Sequence, residues 1–423
     1  MTSAAVNSRS AHRSWANAGA AGALVVALTA GAVAGTAVDA TAQPRTNKAP
    51  NTQAPNAQAL SAMTAALPNA QLTSAVVLVD GRDGRWSGTS GTGKLTTGEL
   101  DGGRRPVAAD GRFRIGSISK VFTATVLLQL SAEHRVDLDG TVQQYLPDAL
   151  PAAYPPITVR QLLNHTSGLP TGGGLGGDDG GDQWFADHMD ESWTPQQVVA
   201  EAVGRPMQFE PGTAQQYNGL NYFLAGLLVE RVTHRSYAQE VNARILRPLG
   251  LHSTAVPAAG DTRLAHPTAH AYLAVPRPDG TGTEQVDVTE QSPWPWAEGG
   301  MVSSAPDLDR FLSALLRGRL LPPAQQAELF AVPDVPNFRN RNCDIGPTAG
   351  RACFSTALMR FTSPSGVVLW GKTGSRPGWT NGIFATPDAS RDLVYSLTPT
   401  SRNGVPFAVQ YGIASAAFDL DPH

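Results

Sequence analysis

Hydrophobic and polar positions fall into blocks whose character changes twice along the chain. The apolar run at 74–80 (SAVVLVD), the segment 85–93 and residues 112–115 are bounded by glycine-rich turns and predict strands. Residues 120–134 (KVFTATVLLQLSAEH) then carry helical spacing, as do 195–203, 220–234, 237–245 and 305–317. Ser304 and Asp307 open the last of these in capping-box spacing. Strand-type runs return only near the end, at 356–361, 367–370, 382–386 and 392–398, before a helical run over 406–418. Strands at both ends with helices between predict an α/β (α+β) architecture. One antiparallel sheet is assembled from the two ends of the chain and flanked by helices, around a mostly helical inserted subdomain. A cleft between sheet and insert is the natural site.

Ahead of the first strand the pattern differs. Arg9 and Arg13 precede an uncharged Ala, Gly and Val stretch over 16–38, closed by Ala40-Thr41-Ala42. This predicts a signal peptide over 1–42; the small-residue exit favours cleavage over an uncleaved transmembrane anchor. Residues 43–58 lack an apolar period and predict a disordered linker. The remaining domain, 59–423, divides into a sheet region, 59–135 plus 345–423, and the insert, 136–344. A secreted protein is expected, without stable membrane insertion after signal cleavage, and it is read as a monomer. In an oxidising compartment Cys343 and Cys353 are expected to form a short-loop disulfide in preference to two free thiols.

With 41% hydrophobic and 16% charged residues, the 423-residue chain can bury a large core, which excludes fibrous and wholly disordered classes. A net charge of −3 provides no basic field for nucleic acid. The basic residues are lopsided: Lys48, Lys94, Lys120 and Lys372 are the lysines among 32. A lysine that survives where arginine is otherwise used points to a position needing a compact, titratable amine.

Several motifs carry little. GxGxxG over 172–177 lacks a strand-then-helix context, GGxGxD over 173–178 occurs once, and Pro267 opposes a helix that would pair His266 with His270 around zinc. No metal or other cofactor is expected, and no G-x-S-x-G elbow occurs. The strongest signal is Ser117-Ile118-Ser119-Lys120 at the head of an apolar helix. Lys120 lies one turn beyond Ser117 on the same face, within reach of its hydroxyl, and the helix N-terminus favours an oxyanion there. The second signal is Lys372-Thr373-Gly374-Ser375, following the apolar run 367–370. An ammonium at this place binds a substrate carboxylate and, as a like charge, is expected to lower the Lys120 pKa so that Lys120 serves as base. Gly374 lets a ligand lie against the strand.

Ser117-x-x-Lys120 with Lys372-Thr373-Gly374 resembles the penicillin-recognising serine hydrolases. RFRIGSISK (112–120), LLNHTSGLP (162–170) and the PGT…Y…NY…G stretch (211–226) follow the order of one branch: class C β-lactamases, exocellular D-alanyl-D-alanine carboxypeptidases and related esterases. The resemblance covers residues 59–420 and is closest to a secreted actinomycete-type carboxypeptidase. It implies a β-lactamase/transpeptidase-like fold, with Ser117 as acylated nucleophile, Lys120 as proton acceptor or relay, and Tyr217 exchanging protons with nucleophile and leaving group. It further implies an oxyanion hole from the backbone N–H groups of Ser117 and Ser375, and a carboxylate site at Lys372, Thr373 and Ser375 with Arg360. Trp294, or its neighbour Trp296, falls on the cleft wall. One departure stands out: the motif asparagine falls on Gly219, with Asn218 one position early as a candidate substitute. The implied activity is a D-alanyl-D-alanine carboxypeptidase acylated by penicillins; a β-lactamase or esterase is the alternative, and a cell-wall binding protein with a weakened site the non-enzymatic one.

Overall fold

The computed structural model describes residues 56–65, 67–95, 105–171, 181–340, 343–356 and 358–420. The expected signal peptide, most of the linker and the glycine-rich motifs at 172–178 lie outside them. The first described element is a helix, Ala57–Thr64, starting two residues before the domain start expected from composition.

The strands are β1 (Leu72–Gly81), β2 (Trp86–Gly91), β3 (Arg112–Arg114), β4 (Tyr272–Pro276), β5 (Thr283–Asp287), β6 (Val302–Ser304), β7 (Met359–Thr362), β8 (Val368–Arg376), β9 (Trp379–Ala385) and β10 (Arg391–Pro399). Six of them form one antiparallel sheet, ordered β2-β1-β10-β9-β8-β7, so the two chain ends do build a common sheet. β1 lies in its interior. Val76 and Leu78 join one core while Val77 and Val79 join another, which is why its sequence is apolar without alternation. One face packs on the helices Ser119–Ala132 and Ala305–Leu316, where the Phe122 and Phe311 rings stack at 3.7 Å. The helix Phe407–Phe418 covers the other.

The middle of the chain is less helical than its pattern predicts. β3 leaves the main sheet and pairs with β6, and β4 and β5 form a hairpin across an Asp279-Gly280 turn. The turn signal is plain in sequence, but β5 is polar and partly exposed, so it presents no apolar run. The expected helix over 237–245 stays α-helical only from Tyr237 to Val241, then widens into a π turn at Asn242–Leu246. Pro248, which has no N–H, follows directly. Ser304 caps Ala305–Leu316 by accepting from the Asp307 N–H, but the box is not reciprocal. Asp307 instead accepts from the Ser253 N–H and Thr254 hydroxyl, both at 2.8 Å. At the far end β8 runs beyond its apolar run, so Lys372–Ser375 lies within the strand.

Candidate active site

β7 pairs only with the first half of β8, the last pair being Met359 with Gly371, so Lys372–Arg376 leaves one edge open in the sheet. The β8–β9 hairpin closes through the pair Arg376–Trp379. By the alternation of an antiparallel ladder, the Thr373 and Ser375 amides then point to that open edge. The turn carrying Ser117 presses against it. Gly116 has φ +51°, and a Cβ there would meet Ser375 carbonyl oxygen and nitrogen at 2.3 and 2.6 Å; a Cβ on Gly374 would stand 2.0 Å from the Ile115 carbonyl oxygen. Two glycines therefore allow the close approach of the Ser117 turn to the β8 edge at Ser375. Ser117 lies in a 3₁₀ turn, Gly116–Ile118, leading into the helix Ser119–Ala132.

The structure brings Ser117, Lys120, Tyr217 and Lys372 together. Lys120 is fully buried and donates to Ser117 Oγ at 3.0 Å and to the Glu298 carbonyl at 2.9 Å, and also to the Glu298 carboxylate. Those three bonds use all the protons of an ammonium. Tyr217 lies between two cations, its ring centroid 5.0 Å from Lys120 Nζ and 4.7 Å from Lys372 Nζ. Its buried hydroxyl interacts with both ammonium groups. Lys372 Nζ donates to the Thr373 carbonyl at 2.8 Å.

The electrostatics correct one expectation. Lys120 is not depressed toward a free base: burial favours the neutral amine, but Glu298 and Tyr217 outweigh it and raise Lys120 above an ordinary lysine. Lys372 is the depressed lysine, by burial and then by the Lys120 charge against the pull of Tyr217. For Tyr217, burial and the Glu298 charge push upward, yet Lys120 and Lys372 prevail and hold the phenol below its ordinary value.

Glu298 is the residue that sequence reasoning passed over. It lies in the WPWAEGG segment after β5, with no motif around it to suggest contact with Lys120. A Cβ on Gly219 would stand 3.1 Å from Glu298 Cγ and Oε1, so the carboxylate occupies the space a side chain at 219 would enter. Gly219 and Glu298 fit as a pair, and Gly219 was the one hint in sequence.

The remaining candidates are placed as follows. Asn218 does not stand in for the motif asparagine. Its side chain is buried, donating to the Leu169 and Pro170 carbonyls and accepting from the Leu220 N–H. Trp294 packs edge-on to Trp193 and parallel to Phe223, and the Trp296 ring meets Tyr237. Arg360 of β7 lies opposite Trp370, while its neighbours Met359 and Phe361 line the cavity described below; its Nε has no partner among the described residues. Thr373, Gly374 and Ser375 do line that cavity.

A buried framework holds Tyr217. The His165 ring packs 4.5 Å from it and accepts from the Asn218 N–H at Nδ1; burial and then the two lysines keep His165 neutral. Asn340 accepts from the Tyr217 N–H at 2.7 Å and donates to the Gln215 carbonyl. Gln215 in turn donates to the Asn164 and Phe354 carbonyls and accepts from the Cys353 and Phe354 amides. Cys343 and Cys353 form a disulfide beside it. Among the described residues, no His, Cys, Asp or Glu grouping could hold a metal ion, and no helix is long and apolar enough to cross a membrane.

The chain is similar to several known proteins. The Beta-lactamase family model matches residues 60–417. The chain is 31% identical over 237 residues to esterase EstB of Burkholderia gladioli, covering 50% of this chain and 58% of the esterase. It is 27% identical over 190 residues to penicillin-binding protein 4* of Bacillus subtilis, covering 44% and 38%. The chain thus spans about half the length of the curated relatives it matches. Among solved structures, a D-stereospecific amidohydrolase from Streptomyces sp. superposes with a TM-score of 0.69 at 32% identity, covering 86% of this chain and 97% of that one. A D-amino acid amidase from Ochrobactrum anthropi SV3 gives 0.64 at 26% identity, with 81% and 91% covered.

Proposed function

Because the chain belongs to the beta-lactamase family of serine hydrolases, we propose that it is an exported acyl-hydrolase working through an acyl-enzyme on Ser117, with small esters or amides as substrates. The observation that carries this reading is the Ser117–Lys120–Glu298 chain beside Tyr217. Lys120 has every proton committed and donates to Ser117 Oγ, so the serine proton goes to Tyr217, whose phenolate form the two neighbouring lysines favour. Ser117 Oγ then bonds to the substrate carbonyl carbon, and the Ser117 and Ser375 N–H groups hold the oxyanion, each worth about 3–4 kcal/mol in hydrolases generally. Tyr217 returns the proton to the departing oxygen or nitrogen as that bond breaks. It next takes one from the water that attacks the acyl carbon and gives it to Ser117 Oγ as the Oγ–acyl bond breaks, which releases the acid and restores the serine. The disulfide, a bond that persists in oxidising compartments, supports export.

The substrate class follows from the Gly219–Glu298 pair. A carboxylate only accepts hydrogen bonds, so near Gly219 it opposes the carbonyl of an N-acylated substrate and favours a donor such as a free amine. The D-amino acid amidase and D-stereospecific amidohydrolase likenesses support amide cleavage of this kind. The carboxypeptidase reading keeps one favourable observation, Lys372 beside an open strand edge where a substrate carboxylate would lie.

Intact-mass time courses separate these readings. An activated acetate ester should add one acetyl group to the protein, transiently, and none to Ser117→Ala; an unchanged rate in Ser117→Ala would overturn the acyl-enzyme. Benzylpenicillin should leave no lasting adduct. A long-lived one would favour the carboxypeptidase, and one that vanishes as the drug is consumed would mean a β-lactamase.

A further inference from the structure

A cavity of about 540 Å³ opens at the candidate site and continues beneath the helix Phe407–Phe418. Ser117, Tyr217, Lys372, Thr373 and Ser375 stand at its mouth. Its floor is the sheet face opposite Lys372, with Phe361, Leu369, Phe384 and Tyr395; its roof is Tyr411 and Ala414 of the helix. Among the described residues, Lys372, at the mouth, is the one charged residue on its wall. Gly404 belongs to the mouth as well. At φ +75°, a Cβ there would stand 2.9 Å from Thr380 Oγ1 and 3.9 Å from Ser375 Oγ. The size falls within the ~300–1,000 Å³ typical of small-molecule pockets.

We propose that this chamber binds the leaving group of the substrate and selects for a neutral, apolar alcohol or amine. This rests on the acyl-enzyme reading above. Which half of the substrate enters is decided by what borders the chamber. Tyr217, which protonates the leaving atom, lines the mouth, whereas Lys120, Glu298, Asn218 and Gly219 contribute nothing to the wall. The bond being broken therefore points its departing atom toward the chamber and its acyl group toward Gly219. A wall mainly of aromatic and aliphatic side chains, with Gln410 and Asn403 as uncharged amides, gains by desolvating apolar surface and offers no countercharge to an ion beyond Lys372.

Two ester series test this on the wild-type protein. Alkyl acetates from methyl to hexyl vary the alcohol while forming the same acetyl-enzyme; methyl alkanoates from acetate to hexanoate vary the acyl group. Since kcat/KM reports acylation, it should rise about three- to fourfold per methylene of alcohol, as expected for burial of a CH2 group, and change little with the acyl chain. A rise that follows the acyl chain, or neither chain, overturns the proposal. Ala414→Phe, which fills the roof, should lose at least tenfold more on hexyl than on methyl acetate; an unchanged ratio overturns it. Binding of 1-hexanol to Ser117→Ala, measured by calorimetry, needs no chemistry. It should be at least tenfold tighter than binding of ethanol, and equal affinities overturn the chamber whatever becomes of the acyl-enzyme, whose own failure shows as hydrolysis surviving in Ser117→Ala.

Discussion

At the scale of single residues, the site turns on a glycine and a glutamate 79 positions apart. From sequence, Gly219 looks like a missing asparagine that Gly219→Asn would restore. With Glu298 in that space, the single substitution drives a side chain against a carboxylate anchored by Lys120. The expected outcome is a loss of activity toward free-amine and N-acylated substrates alike in Gly219→Asn. Adding Glu298→Ala should recover the N-acylated substrates by at least tenfold over the single variant. Steady-state kcat/KM on a matched pair of amino-acid esters checks this, and strict additivity of the two changes would sink the pairing. Ser117, Lys120 and Lys372 were legible because scarce lysines at motif spacing are conspicuous. Glu298 was not, since one carboxylate among 35 acidic residues acquires meaning only from its neighbour.

At the scale of elements, β1, β10 and the helix Ala305–Leu316 enclose three carboxylates. Asp80 and Asp392 are register partners, and Asp309 faces them from the helix. Arg85 pairs with both Asp80 and Asp309, and Arg310 and Arg317 stand near. Burial, then the Asp309 charge, pushes Asp392 up to about 7, and burial, then Asp80, pushes Asp309 up to about 6. A carboxyl that holds its proton more tightly folded than unfolded stabilises the fold below the unfolded value of 3.8, and that contribution is lost as pH rises through about 7. Asp392→Asn should therefore lose less stability between pH 4 and 8, with a gain at pH 8 on the order of 2–4 kcal/mol. Denaturant unfolding at both pH values reads the difference, and parallel profiles for variant and wild type would refute it. Elements whose apolar runs enter a core were readable from sequence. The β4–β5 hairpin was not, because β5 buries too little surface to show a period.

At the scale of the whole molecule, the disulfide joins the loop bearing Asn340 to the segment entering β7, and through Gln215 both hold the segment of Tyr217. Replacing both cysteines by serine should cost about 2–3 kcal/mol of stability, the loop-closure value for a link of this length. It should also lower kcat on activated esters through a less constrained Tyr217. Unfolding and kinetics with and without reductant measure both, and an unchanged kcat would mean the framework holds without the bond.

The sequence by itself determined the sheet from both chain ends, the candidate nucleophile at the head of a buried helix and the second lysine after an apolar strand. These depend on periodicity and short spacing, which a linear chain displays. Tertiary structure alone decided that Lys120 is held above and Lys372 below an ordinary lysine, that Asn218 is enclosed, and that a chamber lies beneath the last helix. Charge, burial and cavity shape arise from residues hundreds of positions apart, and a protonation state is a property of that assembled neighbourhood.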